Sequence, residues 1–193
     1  MALPFIVWLG IVGQTPALDL TEDERRVVLE LAEKALKEKD LFKGKIYLTN
    51  LEVHRDTRDR ESPRNVLVTY YRYEGNLAIF VSVNIGRKEV TKVESEPDCP
   101  TCLAPEELER AIKLSRASPE VRKALAKHGP PEKFEVDALV AHTVDEKSPI
   151  FGKRAVRLFL RQGRTYLLYA PTVEVNLTDE TVRVLESGDQ GHK

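Results

Sequence analysis

The strongest constraint on the fold of this chain is a pattern that it writes twice. Val83-Asn84-Ile85 is followed, after a few polar residues, by Val90-Thr91-Lys92-Val93-Glu94, and Val175-Asn176-Leu177 is followed by Val182-Arg183-Val184-Leu185-Glu186. Self-similarity of this kind organises the chain before any local reading does. Each copy is preceded by two strand-like runs around a turn. In the first, Asn65 to Tyr73 leads through Glu74-Gly75 into Asn76 to Val83; in the second, Arg154 to Arg161 leads through Gln162-Gly163 into Arg164 to Val175. The turn glycines supply the positive φ that tight hairpins need. A further strand-like run leads each sheet: Ile46, Leu48, Leu51 and Val53 in the first, Phe134, Val136, Leu139 and Val140 in the second.

Each half opens with a helix signal. Thr21, with Glu24 three residues on, predicts a capping box. Val27, Val28, Leu31, Ala35 and Leu36 then recur at helical spacing, which predicts a helix over 22–38. In the second half Pro105-Glu106-Glu107 opens a helix, with Leu108, Ala111, Ile112 and Leu114 or Ser115 on one side. Ser118-Pro119-Glu120 starts a shorter one that Lys127-His128-Gly129 stops. An amphipathic helix is the available cover for one face of an antiparallel meander. The expected fold is therefore α+β: two tandem units, each a helix packed on a four-stranded antiparallel sheet, over residues 18–96 and 97–187, with a flexible tail at 188–193.

Charge narrows the choice of partners. The chain has 30 Lys+Arg against 31 Asp+Glu, a net charge of −1, which lacks the basic excess of a nucleic-acid-binding domain. Residues 2–13 carry no charged or polar side chain, yet twelve residues fall far short of the roughly 20 that a spanning helix needs. Two readings of residues 1–17 stay open. One is the apolar core of an export signal, which places the chain in the periplasm or outside the cell; the other is a structural N-terminal strand in a cytoplasmic protein. No stable membrane span is expected.

The pattern resembles the two small N-terminal domains of copper amine oxidases, the N2 and N3 modules, on four stretches. They are Leu18-Asp19-Leu20-Thr21-Glu22-Asp23-Glu24; Pro63-Arg64-Asn65-Val66-Leu67-Val68; Leu103-Ala104-Pro105-Glu106-Glu107 with Ser118 to Gly129; and Tyr169-Ala170-Pro171 to Val175-Asn176-Leu177 with Val182 onward. The resemblance implies a cystatin-like, helix-on-sheet topology for each unit. It does not carry the oxidase chemistry. In that family the reaction belongs to a large C-terminal β-sandwich with a quinone-forming tyrosine in Asn-Tyr-Asp/Glu and a copper site including His-x-His. This chain has no Asn-Tyr pair and no His-x-His, and Lys193 stands where that domain is expected to begin. No catalytic residue, copper or other cofactor is therefore expected.

Three further features are weighed. Cys99-Pro100-Thr101-Cys102 is the one motif with a chemical signature, read as inert or disulfide-forming thiols, a redox pair, or half a metal site. Arg55, Arg58, Arg60 and Arg64, interleaved with Asp56, Asp59 and Glu61, form a charged loop and a weak candidate patch for an anionic partner. His54 and His142 fall at similar points of the two halves, as shared folding produces. The expected function is a non-catalytic interaction or assembly module that binds a protein partner or itself. A thiol–disulfide protein using Cys99 and Cys102 is the first alternative. A peptidase-inhibitor-like module is the second, although the Gln-x-Val-x-Gly loop of cystatins is missing.

Overall fold

A computed structural model describes residues 20–54, 64–130, 133–162, 165–166 and 171–185. The segment 1–17, Arg55, Arg58 and Arg60, the turn residue Gly163 and the tail 188–193 lie outside the described residues. The architecture is α+β. The elements run α1 (Glu22–Glu38), β1 (Ile46–His54), β2 (Asn65–Arg72), β3 (Leu77–Asn84), β4 (Glu89–Pro97), α2 (Pro105–Ala117), α3 (Pro119–Leu125), β5 (Glu135–Ala141), β6 (Ala155–Gln162), β7 (Thr165–Tyr166), β8 (Thr172–Asn176) and β9 (Thr181–Leu185).

Helix α1 begins as its capping box dictates. Thr21 Oγ1 accepts the Glu24 N–H at 3.2 Å, and the Glu24 carboxylate accepts the Thr21 N–H at 2.9 Å. Its buried stripe is Val28, Ala32 and Leu36, one residue off the centre expected from the sequence, so Val27 and Ala35 lie on its flanks. The helix stops in a Schellman turn. Asp40 takes φ 56°, its N–H reaches the Lys37 carbonyl at 3.1 Å, and the Leu41 N–H reaches the Leu36 carbonyl at 2.8 Å.

Two antiparallel sheets follow, in the orders β1-β2-β3-β4 and β5-β6-β8-β9, with β7 pairing β6. The expected single run from Arg164 to Val175 is divided between β7 and β8. In the first sheet Val66, Val68, Ile79, Val81 and Val83 pack under α1. In the second, Val156, Leu158, Val173, Val175 and Leu177 pack with Ala111 of α2 and Val121 and Leu125 of α3. The second sheet thus carries two helices. Ser118 divides them: it ends α2 in an extended conformation, as a residue before proline must, and its Oγ accepts the Val121 N–H at 3.4 Å.

Gly44 shows why the approach to β1 favours a residue without a side chain. Its φ is +69°, and a Cβ there would stand 2.4 Å from the Glu74 carboxylate, which accepts the Lys45 N–H.

Tyr70 is the polar misfit of the first core. It is 4% exposed, edge-on to Phe42 at 6.2 Å, and its hydroxyl has no hydrogen-bond partner among the described residues. A buried, unpaired hydroxyl destabilises the fold by about 1–3 kcal/mol. Tyr70→Phe is expected to raise stability by about 1 kcal/mol in urea titration; a loss of stability would show that the hydroxyl is satisfied.

Candidate functional site

The polar centre of the molecule forms where the first sheet, the connecting segment and the second sheet meet. Glu107 is the third residue of α2, where its carboxylate accepts the Ala104 N–H at 3.0 Å. That is half of a capping box, because Ala104 has no side-chain acceptor to return the bond. Helical spacing puts Glu107 on the inward stripe with Ala111 and Ser115, and it is 1% exposed. The sequence pattern sets Leu108, Ala111, Ile112 and Leu114 or Ser115 on that side and gives Glu107 no inward role.

The buried charge is met by Arg154, itself 2% exposed and one residue before β6. Arg154 Nε donates to Glu107 Oε1 at 3.0 Å, and Nη2 donates to Oε2 at 2.8 Å. The guanidinium also reaches the connecting segment, with Nη1 donating to the Thr101 carbonyl at 3.1 Å and Nη2 to the Cys102 carbonyl at 2.6 Å. From the first sheet, Tyr73 donates its hydroxyl to Glu107 Oε1 at 2.8 Å, and the Tyr71 ring lies 4.3 Å from the guanidinium carbon. Glu107 therefore accepts four hydrogen bonds, about the capacity of a carboxylate. Arg154 is anchored in turn by its backbone: its N–H donates to Thr178 Oγ1 at 2.9 Å, and its carbonyl accepts the Leu177 N–H at 2.7 Å.

Aromatic residues wall this cluster. Tyr71 and Tyr73 meet edge to face at 5.2 Å, Tyr47 meets Tyr73 at 5.8 Å, and Lys45 Nζ lies 4.1 Å from the Tyr73 ring centre. Burial pushes both the Tyr71 and Tyr73 phenols up, and the Glu107 charge adds to the rise. Tyr71 and Asn76 are hydrogen-bonded through hydroxyl and amide oxygen; Asn76 Nδ2 then donates to Asp98 Oδ1 at 2.7 Å.

Asp98 begins the cysteine segment with φ 55°. Its carbonyl lies 3.1 Å from His142 Nε2. Residues 99–104 then run without a turn or bend. Pro100 favours the polyproline conformation, in which three residues advance about 9 Å. Disulfide formation needs Cα atoms within about 7 Å. Cys99, half-buried, and Cys102, exposed, are both free thiols. Burial, with the Glu96 charge beside it, pushes the Cys99 thiol up, the direction opposite to an activated thiolate.

The remaining sequence candidates stand apart. Arg64 Nη1 pairs with Glu24 Oε1 at 2.7 Å, tying the start of β2 to α1. The Thr21 N–H, and then Arg64, hold the Glu24 carboxyl below its usual range. His54 lies 3.9 Å from Glu52, whereas His142 serves Asp98, so the two histidines share no partner. Among the described residues no three His, Cys, Asp or Glu side chains gather as metal ligands. No described helix is long and apolar enough to cross a membrane.

No protein-family model and no curated protein matches the chain. Among solved structures, a copper-containing benzylamine oxidase from Hansenula polymorpha is similar at a TM-score of 0.56 and 14% identity. The fold is shared with part of an amine oxidase. The match covers 86% of this chain and 29% of that one, so the likeness is at the level of domains.

Two outcomes follow from the buried cluster. Removing either charge alone, as in Glu107→Leu or Arg154→Met, is expected to cost about 3–5 kcal/mol. The double variant should cost clearly less than the sum in urea unfolding, and additive losses would mean that the pair is not coupled. The second outcome concerns alkali. The folded-state phenols of Tyr70, Tyr71 and Tyr73 are raised from 10.0, so the fold favours their neutral forms. Their contribution is complete below the ordinary phenol value and is lost as pH climbs above it. Phenolate absorbance should therefore show these three ionising together with the loss of circular dichroism, not before it.

Proposed function

We propose that this chain is a non-catalytic interaction or assembly module built like the small N-terminal domains of copper amine oxidases. In this reading residues 18–96 and 97–187 are tandem cystatin-like units. The observation that carries it is the extent of the likeness: 86% of this chain aligns with only 29% of the oxidase. The buried chemistry points the same way. The carboxylate of Glu107 and the guanidinium of Arg154 are spent on each other, on backbone and on Tyr73. That arrangement holds two sheets together and leaves neither of these two groups free to act as a general acid or base.

The interaction surfaces are the sheet edges, which accept a partner strand by main-chain hydrogen bonding. The apolar run at residues 2–13 supports an exported protein. Two measurements test the reading. Copper-loaded protein given a primary amine should form no hydrogen peroxide; turnover would overturn it. Light scattering and capture from host extract should show self-association or a bound protein, and a strictly monomeric chain that captures nothing would count against it.

A further inference from the structure

We infer that β5 is a pairing edge for a second copy of this chain, which joins two second sheets antiparallel across a two-fold axis at Ala138. The inference rests on the reading of the chain as an assembly module and narrows it to one edge and one partner. Exposed sheet edges are normally blunted by charge, proline, bulges or short length. Edges β4 and β1 are. Edge β4 exposes Glu89, Lys92, Glu94 and Glu96 and ends in Pro97. Edge β1 is broken by an irregularity between Leu48 and Asn50.

Edge β5 has no bulge and no proline, and its two acids, Glu135 and Asp137, are both paired with Arg161 of the neighbouring β6. Its 7 residues, Glu-Val-Asp-Ala-Leu-Val-Ala, contain no Lys, Arg or Pro and pair with β6 in unbroken register. No described strand pairs with its other side. Leu139 is 55% exposed, and the other large exposed apolar side chains, Val144 and Phe151, lie in the loop that follows the same strand.

The strand is also complementary to itself. A two-fold axis at Ala138 sets Glu135 opposite Ala141, Val136 opposite Val140, and Asp137 opposite Leu139 of the second copy. Neither acid then faces an acid. The half-buried Val136, Ala138 and Val140 extend the helix-covered layer across the seam. On the other face, Leu139 lies between its own Arg157 across β6 and Asp137 of the second copy. Beyond Arg157 come Glu174 and Arg183, already paired in sequence across β8 and β9. Signs therefore alternate along the row, and the new acid falls about 10 Å from Arg157, two strand spacings away.

Two substitutions at one exposed position separate this seam from general stickiness. In Leu139→Glu the new carboxylate faces its own Arg157, which preserves the monomer, and meets Asp137 of the second copy twice over. In Leu139→Lys the ammonium meets that same Asp137 favourably. A seam this small belongs to the weak class of interfaces, with a dissociation constant of about micromolar or weaker. Sedimentation equilibrium of the full chain should show a dimer that Leu139→Glu loosens about tenfold and Leu139→Lys does not loosen. Amide exchange over residues 135–141 should slow as protein concentration rises. A chain that stays monomeric to about 1 mM overturns the inference, as does a dimer indifferent to Leu139→Glu or one loosened equally by both charges. A monomer that still captures a host protein would sink the β5 seam alone, whereas amine turnover would sink the module reading.

Discussion

The buried pair of Glu107 and Arg154 is the interaction on which the rest of this structure depends. A charge pair removed from water is often no more stabilising than apolar residues of the same volume, because desolvation offsets the attraction. Its value lies in uniqueness. Glu107 can be buried only if Arg154, Tyr73 and the Ala104 N–H all arrive, and they come from different parts of the chain. The first sheet contributes a tyrosine, the connection contributes two carbonyls, and the second sheet contributes the cation. Any other relative placement of the two sheets would leave a carboxylate or a guanidinium unpaired in the interior.

The connecting segment takes its character from the same contact. Arg154 holds the carbonyls of Thr101 and Cys102, while Asn76 and His142 hold Asp98 at the other end. The four residues between Asp98 and Leu103 are thus tethered at both ends to separate sheets. Pro100 limits the backbone freedom between the tethers. Cys99 and Cys102 are both free thiols within this tethered segment. Spacing along the sequence sets what a pair can do only after the backbone between its members has been given a shape.

Local signals were legible, and long-range ones were not. The Thr21–Glu24 capping box, the Ser118-Pro119 break and the Gly75 turn each depend on residues within one turn of one another, and each is where the sequence puts it. The α+β class follows from alternation and helical spacing, which are also local. Glu107 was hidden because it fits a familiar role, a first-turn acid at a helix N-terminus. Its second role needs Arg154, 47 residues away, and no pattern within α2 announces that. A signal did exist: Glu107 falls four residues before Ala111 and eight before Ser115, on the face that must be buried. Leu139 belongs to the strand-like run that the sequence shows, and alternation along β5 places Val136 and Ala138 against the core and Leu139 outward.

The outer face of the second sheet shows how charge placement separates holding from meeting. Glu174 is 2% exposed on that face, beneath Arg157 and Arg183, each about half exposed. A carboxylate covered by two arginine stems fixes the cross-strand row that runs through β6, β8 and β9. The row sets one acid between two arginines, and its open end lies at β5, where Leu139 ends the sequence of charges. Inside the molecule, Glu107 and Arg154 close a network completely and so fix one arrangement of the sheets. On the surface, a similar alternation is left incomplete by one strand. The β5 edge pairs with β6 in unbroken register, and its row of charges stops at Leu139.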